Sequence, residues 1–461
     1  MADPRRIAVI NVVGLCDRHI GAWTPRIYEY RNAGAQAFIE PAFPAVTCTA
    51  QSDYLTGETS ATHGIVGNGW YDRDLAEVQF WKQSNHLVQA PKVWDALRAK
   101  HDDFTCAKVF WWYNMYSGAD WSLTPRPMYP ADGRKVFDIY THPFEIREDI
   151  KRDLGAFPFP GFWGPAAGVN TPQGSADCVS RWIAESAKWI ERKHSPTLSL
   201  VYLPHLDYNL QRLGPEDKAI KPDLQAIDTI VGGLLDFYAQ RGVDVMLLSE
   251  YGITQVDKAI HLNRLFREQG WLTIKEELGL ELLDAGASQV FAVADHQVAH
   301  IYINNDALHS EVKSLLEKTA GVQAVLDDDT HHRRAGDLIA VADENAWFTY
   351  YYWMDDARAP DFARTVDIHR KPGYDPVELF VDPQLAFPKL RIAQRLLQKK
   401  LGFRMLMDVV PLDAALVKGS HGCRPVSRAD WPVAIVPEAD WLEGDALQST
   451  EVSGLIQRAV G

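Results

Sequence analysis

The chain has 461 residues, and its 47 Lys and Arg against 61 Asp and Glu give a formal net charge of −14. This balance excludes a protein that binds the backbone of a nucleic-acid polymer, which needs a positive stripe, and argues against docking on an anionic membrane by bulk charge. Hydrophobic residues make up 46% of the chain and charged residues 23%, proportions that are typical of globular proteins and exclude a disordered one.

The first predicted element is a strand over residues 7–13, an almost unbroken apolar run that ends at Gly14. Runs of the same kind over 198–203 and 243–248 predict two more strands, each covered on both faces. Between them, apolar residues at helical spacing over 224–238 predict a helix. This strand–helix–strand order is a βαβ unit, so we expect the α/β class, with a mainly parallel sheet flanked by helices.

Residues 258–344 change in character, because they combine a short helix pattern with separate short strands. We expect them to form a small α/β cap that is inserted into a core made of residues 1–257 and 345–461. The helix predicted over 388–401 is basic and amphipathic, for which a solvated helix face is the simpler interpretation.

Five cysteines lie far apart without a C-x-x-C pair, which indicates free thiols in a reducing compartment. The first residues lack the pattern of a signal peptide, and no apolar run is long enough to span a membrane. We therefore expect a cytoplasmic protein that does not associate with membranes. Two aromatic runs, at 110–113 and 347–353, predict either a deep core or an aromatic-walled pocket.

Four reactive side chains lie at the ends of predicted elements. Thr47, in F-P-A-V-T, precedes a predicted helix whose N-terminus favours a bound anion, although the same position suits a simple helix cap. Asp207 in L-P-H-L-D and Glu250 in S-E-Y-G follow buried strands, and His421 lies in S-H-G. Because the carboxyl ends of parallel strands meet at one edge of a sheet, these last three can converge on one metal ion.

Taken in chain order, these motifs resemble those of the type I phosphodiesterase/nucleotide pyrophosphatase branch of the alkaline phosphatase superfamily, in particular its phosphonoacetate hydrolase-like members. Further matches are L-T-G after Thr47, H-G-I-V-G-N ending at Asn68, and the segment 293–302. The resemblance extends over nearly the whole chain. It implies an alkaline-phosphatase-like core, a nucleophilic Thr47 and two metal ions around it.

Several site positions differ from the family pattern: Val13, Ala50, Gln211, Glu250 and Tyr251 stand in place of Asp, Asn, His, Asp and His. Valine cannot bind a metal ion and tyrosine is a poor zinc ligand, so we expect one divalent ion (Zn, Mn or Mg) instead of two. Asp207 and His421 match family ligands. Glu250, His205 or His369 would complete the set.

Other residues are candidates for contact with the substrate. Arg370 and Lys371 lie in an ion-rich loop and could clamp a phosphate, the alternative being a plain surface loop. Gln211, Tyr251 and Asn68 stand at or beside family site positions, and we expect them to contact the substrate.

Three hypotheses for function follow. The first is a metal-dependent hydrolase of a phosphoester, phosphodiester or phosphonate, in which Thr47 attacks phosphorus. The alternative, favoured by the altered positions, is a catalytically altered member that binds a phosphorylated ligand or a partner enzyme without hydrolysis. A third is a metal-free hydrolase with His205 or His369 as the base. The predicted ligand is a small phosphorylated molecule, and a homo-oligomer is compatible with the sequence.

Overall fold

The computed structural model of the protein describes residues 4–132, 134–167, 177–216, 218–327 and 331–461. Small parts of the predicted core and of the predicted cap, residues 1–3 among them, lie outside the described residues. The strands are β1 (Ile7–Val12), β2 (Ala35–Glu40), β3 (Gly69–Asp72), β4 (Glu77–Phe80), β5 (Cys106–Val109), β6 (Trp121–Pro125), β7 (Ile139–His142), β8 (Leu198–Leu203), β9 (Asp244–Leu248), β10 (Thr254–Gln255), β11 (Lys258–Ile260), β12 (Ile274–Glu277), β13 (Leu280–Leu283), β14 (Val290–Asp295), β15 (Val298–Ile303), β16 (Val322–Leu326), β17 (Leu338–Ala342), β18 (Ala346–Phe348), β19 (Gly419–Ser420), β20 (Val433–Val436) and β21 (Ala446–Gln448). The α-helices are α1 (Pro25–Ala33), α2 (Thr47–Thr56), α3 (Ser60–His63), α4 (Val93–Lys100), α5 (Ile146–Leu154), α6 (Cys178–His194), α7 (His205–Leu213), α8 (Lys221–Ala239), α9 (Leu262–Glu268), α10 (His309–Lys318), α11 (Pro388–Lys400) and α12 (Glu451–Val460).

Nine of these strands form a central sheet in the order β21-β2-β20-β9-β1-β8-β5-β6-β7. Strand β1 lies in the middle and runs parallel to both neighbours, with Asn11 opposite Tyr202 of β8 and Leu248 of β9. Parallel pairing continues through β5 and β6, whereas β20 and β7 run antiparallel to their neighbours. The α/β class with a mainly parallel sheet is therefore confirmed.

The middle strands are apolar throughout because helices cover both faces of the sheet. Every residue of β1 and β8 is buried, as expected for parallel strands inside an α/β protein. Helix α8 connects back to β9 as the βαβ pattern predicts, and α6 packs on β8. The carboxyl ends of β1, β8 and β9 consequently lie side by side, and the segments that follow them share one edge of the sheet.

Four antiparallel strands, β14-β15-β17-β16, form a second sheet, and α10 packs against β16. The aromatic run 347–353 joins the same apolar cluster as this sheet, with Trp347 and Trp353 almost fully buried. These strands fall within 258–344, where we predicted a cap; the boundaries of that unit stay a prediction. The tight turn between β14 and β15 carries His296 and Gln297.

Among the described residues, no helix is long and apolar enough to cross a membrane. All five cysteines are free thiols in the structure, and four of them are buried.

Candidate active site

Thr47 is the first residue of α2, a helix that is buried along nearly its whole length. Val46 occupies the N-cap position and makes no side-chain capping bond. The Thr47 hydroxyl lies 3.1 Å from the Tyr251 hydroxyl. This hydroxyl is thus directed at another reactive side chain at a helix N-terminus, an arrangement that differs from the simple helix cap considered from the sequence.

A chain of hydrogen bonds connects Thr47 to a buried acid. The Tyr251 hydroxyl donates to Asp207 Oδ1 over 3.4 Å, and Gln211 Nε2 donates to Asp207 Oδ2 over 2.8 Å. The Tyr374 hydroxyl donates to Gln211 Oε1 over 2.9 Å. Because Tyr251 donates to the acid, its oxygen is left to accept the proton of Thr47, so all the donors point towards Asp207.

Burial raises the pKa of Asp207 to about 7, although the hydrogen bonds from Gln211 and Tyr251 oppose the shift. A carboxylate in water is fully ionised at neutral pH. Here the acid is close to half-protonated, which is the condition in which a general base exchanges protons most effectively near pH 7.

Glu250 lies on the other side of Thr47 and is fully buried. Its Oε1 accepts hydrogen bonds from Asn11 Nδ2 and Gln51 Nε2, each over 2.5 Å. Burial raises the pKa of Glu250 to about 8, opposed by hydrogen bonds from Gln51, Asn11 and Thr47. Its second oxygen has no protein partner. Glu250 is therefore a neutral acid at pH 7, with Oε2 free to carry the proton.

Four rings stack into a column beside this network. Tyr251 lies on His421 with 3.6 Å between ring centroids, His421 on His296 with 3.7 Å, and His296 on Tyr374 with 3.5 Å. His421 Nδ1 donates to the carbonyl of Ala45 over 2.7 Å. Burial lowers the pKa of both histidines well below the ordinary value, so both rings are neutral at pH 7.

Asn68 links the first turn of α2 to the second sheet. Its Oδ1 accepts from the backbone N–H of Cys48 over 3.0 Å, and its own N–H and Nδ2 donate to Asp295. Asp295 also bonds His296 Nδ1 over 2.7 Å. Asn68 thus holds the helix that carries Thr47, a positioning role; its predicted contact with substrate stays a prediction.

Thr47 and Asp207 open into a cavity of about 60 Å³, room for roughly four to six water-sized groups. Its walls are mostly aromatic: Trp81, Trp112, Phe162, Trp163, Tyr202, Tyr208, Tyr251, His296 and Tyr374. No Lys or Arg stands among the lining residues that the structure describes. The aromatic run 110–113 therefore contributes a pocket wall through Trp112, whereas the run 347–353 is core.

Three of the wall residues have a left-handed backbone. The φ angles are 60° at Trp81, 66° at Trp163 and 61° at His296. Bulky side chains rarely adopt this conformation, and each instance costs on the order of 1–3 kcal/mol. Such strain concentrates at functional sites, so it marks this cavity independently of its acids.

The donor set does not fit the metal ion that we expected. The described residues bring together no group of three His, Cys, Asp or Glu side chains that could hold one. Glu250 is bound by two amides, and Tyr251 covers one face of His421. His421 Nε2 is buried without a partner, but one nitrogen is too few ligands to hold an ion. The centre predicted from Asp207, His421 and Glu250 is therefore not assembled in the described part of the chain.

The two histidines proposed as further ligands face other elements. His205 Nε2 lies 3.4 Å from the carbonyl of Asp223 at the start of α8, and His369 Nδ1 lies 3.3 Å from the carbonyl of Phe80. Neither histidine is among the residues that line the cavity. These contacts support neither a ligand role nor the role of base to Thr47.

The two cations proposed as a phosphate clamp are both paired with acids. Arg370 is half exposed and bonds Asp361 over 2.9 Å. Lys371 is buried, with Asp375 and Glu378 each 2.7 Å away. Glu378 also accepts from Trp163 Nε1 over 2.6 Å. Lys371 thus supports a wall of the cavity instead of facing it.

Sequence reasoning missed the amides of Asn11 and Gln51, the pair Asp295–His296, and most of the aromatic wall. The segment 293–302 and the loop containing Tyr374 were noted, but no spacing rule joins them to Thr47. Their convergence depends on how the turn of the second sheet meets the central sheet.

The model of the family described as type I phosphodiesterase/nucleotide pyrophosphatase matches residues 7–375. An uncharacterized pyrophosphatase/phosphodiesterase of Schizosaccharomyces pombe is 23% identical over 273 residues, covering 56% of this chain and 47% of that protein. A venom phosphodiesterase of Naja atra is 22% identical over 279 residues, 57% of this chain and 27% of that protein. The matches thus cover about half or less of these curated relatives.

Two solved structures resemble the fold over nearly its whole length. Phosphonoacetate hydrolase from Sinorhizobium meliloti, in complex with phosphonoformate, has a TM-score of 0.61 at 14% identity and covers 99% of this chain and 96% of its own. Inactive murine ectonucleotide pyrophosphatase/phosphodiesterase 5, in complex with AMP, has a TM-score of 0.59 at 13% identity, with 99% and 95% coverage. At these identities the likeness shows the fold alone, which is alkaline-phosphatase-like as the motifs implied.

Proposed function

Because the chain belongs to the type I phosphodiesterase/nucleotide pyrophosphatase family, we propose that it hydrolyses a small phosphodiester or phosphonate at Thr47. The observation that carries the proposal is the link from the Thr47 hydroxyl, at the cavity, through Tyr251 to Asp207. A nucleophile connected to a base whose pKa lies near the working pH is the arrangement that acyl and phosphoryl transfer require.

In the first step the Thr47 oxygen attacks phosphorus, and the bond from phosphorus to the leaving group breaks. The Thr47 proton passes to the Tyr251 oxygen while the Tyr251 proton passes to Asp207. The leaving group takes its proton from solvent. The products are a phosphothreonine and a protonated Asp207, whose pKa of about 7 makes this state accessible at neutral pH.

In the second step water attacks the phosphothreonine, and the bond between phosphorus and the Thr47 oxygen breaks. Asp207 returns its proton to Tyr251, and Tyr251 returns one to Thr47. The water proton leaves with the phosphate or to solvent. The site is then restored for the next cycle.

The lining of the cavity restricts the class of substrate. The N-terminus of α2 offers partial positive charge to one phosphoryl group, but the described lining holds no Lys or Arg to balance more charge. A singly charged diester or phosphonate with an apolar or aromatic leaving group fits these walls. A di- or triphosphate does not.

Members of this family use divalent metal ions, and the sequence predicted a single Zn, Mn or Mg ion here. The donor set described above does not fit such an ion, so this proposal routes no step through a metal. It comes nearest to the metal-free hydrolase considered from the sequence, with Asp207 in place of His205 or His369 as the base.

A second candidate is binding of a phosphorylated ligand without hydrolysis. It is favoured by one specific observation, namely that the residues which replace family ligands, Gln211 and Tyr251, hydrogen-bond Asp207 directly. The site would then be a recognition cavity whose acid positions a ligand.

Hydrolysis of an aryl phosphodiester, followed by release of the phenolate, separates the two candidates. We expect turnover by the purified chain and its loss in Thr47→Ala, with Thr47→Ser retaining part of it. No turnover by wild type, together with tight binding of the diester, would support the second candidate instead.

A further inference from the structure

Helix α11 is oriented opposite to an ordinary surface helix. Its polar face packs on the protein, because Arg391 and Arg395 both pair with Asp408 in the segment that follows. No residue of the helix is buried. Surface helices of globular proteins turn their apolar stripe to the core, so this one leaves that stripe without a partner in the chain.

The outward stripe is large and continuous. Leu390, Ala393, Leu397 and Leu401 recur at spacings of three and four residues, which places them on one face. The two leucines at the ends are 68% and 64% exposed. Large apolar side chains on the same segment extend the patch: Phe387, Leu396, Phe403 and Leu406 are all exposed. A patch of this kind marks an interaction surface.

The charge of this segment is opposite to that of the chain. Residues 383–407 contain six Lys and Arg and no Asp or Glu, in a protein whose net charge is −14. Four of the six, Lys389, Lys399, Lys400 and Arg404, are exposed. The apolar stripe is therefore bordered by free-standing positive charge.

We infer that α11, with Phe387 and residues 401–406 at its ends, is an interfacial helix that docks on an anionic lipid surface. An apolar face beside Lys and Arg is the pattern of helices that lie in the plane of a bilayer, and each exposed cation near such a surface strengthens binding. A second copy fits less well, because stacking two α11 helices would bring their basic borders together. This surface departs from our expectation of no membrane association, which rested on the charge of the whole chain.

Flotation of the purified full-length chain with vesicles tests this directly. The probes are vesicles of phosphatidylcholine with about one third phosphatidylglycerol, and vesicles of phosphatidylcholine alone. We expect binding to the anionic vesicles, weaker binding to the neutral ones, and release by added salt.

Two variants and one control locate the surface. Leu390→Gln/Leu397→Gln should weaken binding at least roughly tenfold by removing apolar contact. Lys399→Gln/Lys400→Gln should weaken it by about tenfold or more on anionic vesicles only. Leu278→Gln, at an equally exposed leucine in the turn between β12 and β13, should bind as wild type. All these side chains are exposed, so the fold is expected to persist, and thermal unfolding checks it.

Failure to bind anionic vesicles at low salt would overturn the inference, as would equal binding by the double-leucine variant. A wild-type dimer that the double-leucine variant converts to a monomer would assign the surface to a second copy instead. None of these readouts depends on Thr47 or on turnover.

Discussion

Two acids flank Thr47, and their surroundings differ in a way that assigns their roles. Asp207 lines the cavity and accepts one bond from Tyr251 and one from Gln211, on separate oxygens. Glu250 is fully buried and accepts two amide bonds on a single oxygen. Burial raises the pKa of both, to about 7 for Asp207 and about 8 for Glu250.

This difference indicates that only one of the two acids acts as a base. At pH 7 Asp207 is ionised about half the time, whereas Glu250 is mostly neutral. The Asn11 and Gln51 amides hold Glu250 in place, so it stabilises the strand ends around Thr47 as a neutral hydrogen-bonding group. The predictions below exploit that contrast.

The largest effect is expected for Thr47→Ala, which removes the nucleophile. Turnover of an aryl phosphodiester should fall by at least roughly a thousandfold, while Thr47→Ser keeps measurable activity because it retains the hydroxyl. Steady-state kinetics with a check of thermal unfolding suffice. Wild-type turnover by the alanine variant would mean that the mechanism uses another nucleophile.

Asp207→Asn should come next, with a loss of about a hundredfold to a thousandfold, since the amide cannot take the proton. In wild type, kcat/KM should rise with pH through about 7, because the base works only when it is deprotonated. That rise should be missing in the asparagine variant. A rise that survives the substitution would assign the base elsewhere.

Tyr251→Phe tests whether the proton travels through the phenol. It leaves the ring stacked on His421 but removes the hydroxyl between Thr47 and Asp207, and we expect a loss of roughly a hundredfold. The loss should lie mainly in kcat, with KM little changed. An unchanged kcat would show that Thr47 loses its proton by another route.

Glu250→Gln should change activity by less than about tenfold and should mainly change the dependence of stability on pH. The folded pKa of about 8 lies above the ordinary 4.5, so the folded chain keeps a proton that the unfolded chain has lost. Stability from this group is lost as pH rises through 8. Between about pH 6.5 and 8 the wild type should lose on the order of 2 kcal/mol more than the variant. Parallel curves from denaturant unfolding would contradict the raised pKa.

The central sheet was readable from the sequence because parallel strands buried on both faces leave unbroken apolar runs. Strands β1, β8 and β9 agree with the predicted ranges to within about a residue, and the family motifs correctly identified the fold. The segment 388–401 is also a helix as predicted. Its apolar face, however, points outward, and periodicity alone cannot say which side of a helix meets the protein.

The site was predictable only in part. Thr47, Asp207, Tyr251 and Gln211 do meet, because the ends of neighbouring parallel strands share one edge. What these residues do there depends on Tyr374, which comes from a distant loop to bond Gln211. Sequence spacing treated the altered ligands as an incomplete metal site, whereas the structure shows them bonded to one another.

The central claim is that the link from Thr47 through Tyr251 to Asp207 does the work that metal ions do in relatives. The most direct test is turnover of an aryl phosphodiester by chain treated with a metal chelator and verified by elemental analysis to be free of divalent ions. We predict that the treated wild type retains its kcat and that treated Tyr251→Phe does not. Activity that disappears on chelation and returns with added Zn²⁺, Mn²⁺ or Mg²⁺, equally in both proteins, would contradict the account.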